Sequence, residues 1–160
     1  MLCAKSALGG FSIDELFLGQ SASVAKTISE SDVYLYAGVS GDNNPAHLNE
    51  QYATGTRFGG RIAHGMLSAG LISAALGTKL PGPGAVYLGQ TLKFMAPVYF
   101  GDTVTATVTV KELDAKKNRV ILDTTCTNQN GRVVIAGEAV IVPPKGDVSR
   151  EAMGLTCTAD

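Results

Sequence analysis

The chain has no tryptophan, only two histidines and three cysteines. Cys3, Cys126 and Cys157 are odd in number and match neither a disulfide framework nor a metal-ligand spacing, so a reducing compartment, the cytoplasm, is expected. No run reaches the ~18 apolar residues that a membrane span requires. The N-terminal stretch MLCAKSALGGFSIDELFLGQ is interrupted by Gly-Gly and two acids, unlike a secretory signal, so neither a membrane partner nor export is expected. Excess positive charge is missing as well: 13 Lys and Arg face 14 Asp and Glu, a formal net charge of -1. Such a chain has no global field to attract a nucleic acid backbone.

What is present is ordinary for a globular chain, with 45% hydrophobic residues and 19 glycines among 160 residues. That length supports one core without disulfides or a structural metal. Residues 1–143 are expected to form a single domain, and the polar stretch 144–160 a flexible tail.

Period and punctuation divide the chain. Residues 21–28 (SASVAKTI) read as a strand. Ser29 or Ser31 can cap a helix over 31–39, which ends at Ser40-Gly41. Residues 40–48 (SGDNNPAHL) read as a turn, with a short helix near 49–54. The segment 65–80 contains no acid and only one charge, Lys79, so it reads as a helix buried on nearly every side. From residue 84 the period becomes two: one long strand over 84–100, then strands over 104–110, 118–127 and 132–142, with a turn at Asn128–Gly131. A strand, then helices, then four strands in a meander define the α+β class, with an antiparallel β-sheet wrapped around a central apolar α-helix. That is the hot-dog fold.

Both histidines, His47 and His64, fall close to the loop acid Asp42. Between Asp42 and His47 lies Asn44-Pro45; proline fixes its own φ and biases the preceding residue toward an extended conformation, which stiffens the loop. Taken alone, an Asp in a Gly-Asp-Asn-Asn-Pro sequence is more often a turn former than a catalyst, and a lone His is usually structural.

The joint pattern changes that balance. The segment YAGVSGDNNPAHLNEQYA (36–53) resembles the signature of the MaoC-like, (R)-specific enoyl-CoA hydratases through Tyr36, Gly41, Asp42, Asn44, Pro45, His47 and Ala53. The position before the His, usually a larger aliphatic residue, is Ala46 here. The resemblance continues through IAHGML (62–67) and YLGQTLKFMAPVYFGDTV (87–104), about four-fifths of the chain in all.

This resemblance implies that Asp42 and His47 hold a catalytic water and that the Gly65 amide donates to a thioester oxygen. It further implies that Asn44 braces the loop and that His64 belongs to the helix start. The chemistry gives independent reasons: adding water at C3 of a 2-enoyl thioester needs a base, a proton for C2, and stabilisation of charge on the thioester oxygen. The small residues Ser68, Gly70, Ser73 and Ala74 leave room for an acyl chain, with Ser73 and Leu76 expected to contact it.

No cofactor is expected, because coenzyme A would be part of the acyl-CoA substrate. A metal at Asp42, His47 and His64 fits no common ligand spacing. The Gly-rich stretches GTRFGG and PGPG contain neither a Walker lysine nor a dinucleotide fingerprint. A homodimer is expected, since one sheet around one helix leaves an edge strand open. The rivals are an acyl carrier protein dehydratase, a hot-dog thioesterase, and a non-catalytic acyl-thioester-binding module. Against the thioesterase stands the absence of an acid from 65–80, and against the silent module the presence of both Asp42 and His47.

Overall fold

The computed structural model describes residues 9–145. Strand β1 (Ser21–Thr27) is followed by helix α1 (Glu30–Ser40), two short helices α2 (Pro45–Leu48) and α3 (Glu50–Thr54), and α4 (Gly65–Thr78). Strands β2 (Val86–Gln90), β3 (Lys93–Phe94), β4 (Thr103–Asp114), β5 (Arg119–Thr127) and β6 (Val133–Val142) complete the fold. Most of the expected tail, residues 146–160, lies outside the described residues. Within them, no helix is long and apolar enough to cross a membrane.

The antiparallel sheet runs in the order β1-β4-β5-β6-β2, with β3 also paired to β6. Alternation decides which face is covered. Val104, Ala106, Val108 and Val110 of β4 are buried at every second position, as are Val120, Leu122 and Cys126 on β5. Helix α4 packs on this face against β1, β4 and β5, and contributes Ala69, Ile72, Ala75 and Leu76 to the same core. The sheet thus wraps the apolar helix, as the order and period of the elements implied.

Three expectations need correction. First, the strand expected over 84–100 is two short strands, and β2 does not join a meander: it crosses to the far edge to pair with β6. Where the segment between β2 and β3 passes over β6, a Cβ at Gly137 would collide with the Thr91 carbonyl oxygen, so only glycine fits the crossing. Pro97 also lacks the N–H that a continuous central strand needs. Second, residues 45–48 are helical rather than part of the turn, because Asn44 Oδ1 accepts the Ala46 amide at 3.0 Å and Pro45 stands in the first turn. Third, α4 is not buried all round. Met66, Gly70, Ser73 and Gly77, at helical spacing, form an exposed face.

Helix α1 begins and ends on local chemistry. Ser29 Oγ accepts the Asp32 amide at 3.2 Å while the Asp32 carboxylate accepts the Ser29 amide at 2.8 Å, a reciprocal capping box. The Ser29 amide foremost, and then the Ser29 hydroxyl, which donates to the same carboxylate at 2.8 Å, hold the Asp32 carboxyl below its ordinary range, with Lys26 adding to the effect. At the other end Gly41 takes φ 76°, a left-handed cap that stops the helix one residue before Asp42.

Candidate active site

Asp42 follows that cap, so the end of α1 sets its position. Its amide is held by Ser40 Oγ at 3.1 Å, and its Oδ1 accepts the Asn44 amide at 3.2 Å. Asn44 in turn caps α2, and α2 carries His47. Cap, turn and cap therefore fix Asp42 and His47 through backbone bonds rather than by a contact between their side chains.

Hydrogen bonds define the imidazole tautomers. His47 Nδ1 lies 2.8 Å from the Ile62 carbonyl, which can only accept, so Nδ1 carries the proton and Nε2 keeps its lone pair. His64 Nε2 lies 2.9 Å from the Asp42 carbonyl, so here Nε2–H donates and Nδ1 keeps the lone pair. The two rings stack, with centroids 3.9 Å apart and planes 36° apart, and Tyr36 covers His64 at 4.9 Å. His64 therefore touches both halves of the pair: it bonds the Asp42 backbone and packs against the His47 ring. One ligand-capable atom each from Asp42, His47 and His64 lies within 4.8 Å of the others.

The Ile62 carbonyl is itself pinned. Ala63 donates to the Val98 carbonyl at 2.8 Å, and Ile62 bridges to Tyr99. Next to it, Arg61 binds Glu50 at 2.9 Å, Glu30 at 2.7 Å and the Tyr34 hydroxyl at 2.8 Å, and lies over the Phe100 ring at 4.8 Å. These bonds raise the guanidinium pKa above its already high value, Glu50 contributing most. A cation so enclosed is structural: it ties α1 and α3 to the segment that orients His47.

Gly65 opens α4, where the first amides have no intrahelical acceptor and the helix dipole is positive. Asp42, His47, His64 and Gly65 line one cavity of about 640 Å³, walled further by Met66, Phe94 and Met95. Two buried polar atoms beside it, His64 Nδ1 and Ser68 Oγ, have no hydrogen-bond partner. Ser73 and Leu76 do not line this cavity. Leu76 is 2% exposed within the core, and Ser73 belongs to the open face of α4. Helical spacing explains the difference, since Ser68 points to the cavity and Ser73, five residues on, is rotated well away from it.

Sequence reasoning did not find Phe94, Met95 or Arg132 as cavity residues. The signal available was the adjacent Phe94-Met95 pair before Ala96-Pro97, which breaks the two-residue alternation.

The family model described as "MaoC like domain" matches residues 19–130, a span containing Asp42, His47, His64 and Gly65. The chain belongs to the MaoC-like family. An (R)-specific enoyl-CoA hydratase from Rhodospirillum rubrum is 67% identical over 129 residues, covering 80% of this chain and 89% of the relative. A 3-hydroxybutyryl-CoA dehydratase from Methylorubrum extorquens is 51% identical over 132 residues, covering 82% and 83% respectively. Among solved structures, the unliganded R-hydratase PhaJ1 from Pseudomonas aeruginosa superposes with a TM-score of 0.82 at 49% identity, covering 87% of this chain and 89% of that one. With these MaoC-like relatives the fold is the hot-dog expected from sequence.

Proposed function

We propose that this MaoC-like chain is an (R)-specific 2-enoyl-CoA hydratase, equally a 3-hydroxyacyl-CoA dehydratase in reverse. The observation that carries the proposal is the meeting of the Asp42 carboxylate and the His47 imidazole in one cavity whose floor begins α4. Both groups present acceptor atoms, so both can take a hydrogen bond from one water. The water oxygen bonds to C3 as a proton passes to the pair, and the pair returns a proton to C2 on the same face. Electron density displaced onto the thioester oxygen is met by the Gly65 amide at the positive end of α4. Asn44 and His64 act through position: one caps the helix that carries His47, and the other bonds the Asp42 backbone carbonyl and packs against the His47 ring.

The chain works on this proposal as a cytoplasmic homodimer needing no cofactor beyond the coenzyme A of its substrate. Supporting the dimer, β2 is an edge strand whose Val86, Tyr87 and Leu88 are exposed, and α4 shows the open face of Met66, Gly70, Ser73 and Gly77.

The test is hydration of crotonyl-CoA with chiral analysis of the product. Wild-type protein gives the (R)-3-hydroxy thioester. Asp42→Asn and His47→Gln each lose about 10²- to 10⁴-fold in kcat/KM. The double variant is little worse than either, because both groups serve one water. An (S) product, or near-normal turnover in either folded single variant, overturns the proposal.

A further inference from the structure

We infer that Arg57 and Arg132 form a phosphate subsite at the mouth of the active-site cavity, reading the phosphate esters of a pantetheine-type thiol carrier. This rests on the hydratase proposal for the identity of the ligand, but its geometry is independent of the chemistry at Asp42.

Both guanidinium groups belong to residues that line the same cavity as Asp42 and His47. They come from separate connections: Arg57 from the loop between α3 and α4, Arg132 from the turn leading into β6. Neither side chain forms an ion pair with any described carboxylate. Arg61, four residues after Arg57, is the contrast. It is bonded to two carboxylates and a tyrosine, which marks it as architecture. In a chain with a net charge of -1, two arginines on one cavity without a carboxylate partner among the described residues stand out as groups suited to an anion supplied from outside.

Each is also partly ordered before a ligand arrives. The Arg57 guanidinium lies over the Phe58 ring at 4.9 Å, and stacking of this kind leaves the N–H edge free for phosphate oxygens. The Arg132 backbone is fixed by the Asn128 side chain, whose Oδ1 accepts the Arg132 amide at 3.0 Å, while the Arg132 carbonyl accepts the Asn128 amide at 2.9 Å. Arginine matches phosphate through paired N–H donors, so two such groups on one cavity suit a phosphate better than they suit an uncharged acyl chain. The apolar wall of Phe94, Met95 and Met66 remains for the uncharged part of the substrate.

Coenzyme A and the prosthetic group of an acyl carrier protein share the phosphate next to pantetheine, whereas only coenzyme A adds the adenosine bisphosphate. Calorimetry with free ligands tests the subsite without relying on turnover. Coenzyme A, 4′-phosphopantetheine, pantetheine and adenosine 3′,5′-bisphosphate are titrated into wild-type protein and into Arg57→Gln/Arg132→Gln. We expect the double variant to bind coenzyme A at least ~10-fold more weakly, with affinity for pantetheine unchanged. A matching loss for 4′-phosphopantetheine places the arginines on the phosphate shared by both carriers. A loss for the bisphosphate alone places them on the coenzyme A nucleotide. Unchanged coenzyme A affinity, or an equal loss for pantetheine, overturns the subsite. Failure of wild-type protein to hydrate crotonyl-CoA would instead count against the hydratase proposal and leave these binding ratios to be judged separately.

Discussion

Gly65→Ala separates the stability of α4 from its use as an oxyanion donor. A Cβ built at Gly65 falls 2.6 Å from Phe94 Cε1 and 2.8 Å from Cδ1, about 1 Å inside ordinary carbon contact. Overpacking of a tight core costs about 1–3 kcal/mol. Here the obstacle is a ring that is 52% exposed on a two-residue strand, so it can turn aside. Alanine also restricts the unfolded chain, which returns about 0.4–1 kcal/mol. The net loss of stability is therefore below about 2 kcal/mol, and thermal melts should show the variant folded with a fall of only several degrees. Activity should fall further than that. The displaced ring and the new methyl crowd the approach to the Gly65 amide, and loss of one oxyanion donor costs ~10²- to 10³-fold. We expect kcat/KM for crotonyl-CoA to drop at least ~10-fold toward that limit, and Gly65→Ala/Phe94→Ala to recover part of the loss by removing the ring. A folded Gly65→Ala protein with wild-type kcat/KM would refute the role given to this amide.

Asp32→Ala, which removes the N3 half of the α1 capping box, should cost about 0.3–1.5 kcal/mol at pH 7 and lower Tm accordingly. Because the folded Asp32 carboxyl is held below its ordinary value of 3.8, its contribution is complete above that value and is lost as pH falls through the lowered one. The Tm gap between wild type and variant should hold from pH 7 to about pH 5 and shrink below about pH 4; a gap independent of pH would reject the ionised cap. For the homodimer, light scattering at micromolar concentration should give twice the 16.6 kDa chain mass. A monomeric mass would remove the reason offered for the exposed β2 edge.

Much of the fold was legible because its signals are local. Ser29 with Asp32 announces the start of α1, the alternation of Val104, Ala106, Val108 and Val110 announces β4, and the acid-free stretch after His64 announces α4. The crossing of β2 to β6 was not legible, because strand order depends on which edge remains free once β4, β5 and β6 have paired. Gly137 has meaning only when Thr91 is seen against it.

The same division runs through the site. Asp42 and His47 could be found as a pattern because the cap at Gly41, the Asn44 bond and Pro45 are all near them in sequence. What makes His47 chemically useful comes from farther away. The Ile62 carbonyl, 15 residues on, selects the tautomer that leaves Nε2 with its lone pair, and Arg61 beside it ties that segment to Glu30 and Glu50. His64, 22 residues from Asp42, bonds the Asp42 backbone and stacks on His47. Sequence spacing alone gives neither imidazole a tautomer, since a tautomer is set by the group across from it rather than by its neighbours in the chain. The pattern around Asp42 therefore identifies the groups we propose to react, and the segment from Arg61 to Gly65 determines how they are presented: it orients one imidazole, stacks the other, and opens α4 with Gly65 at the cavity.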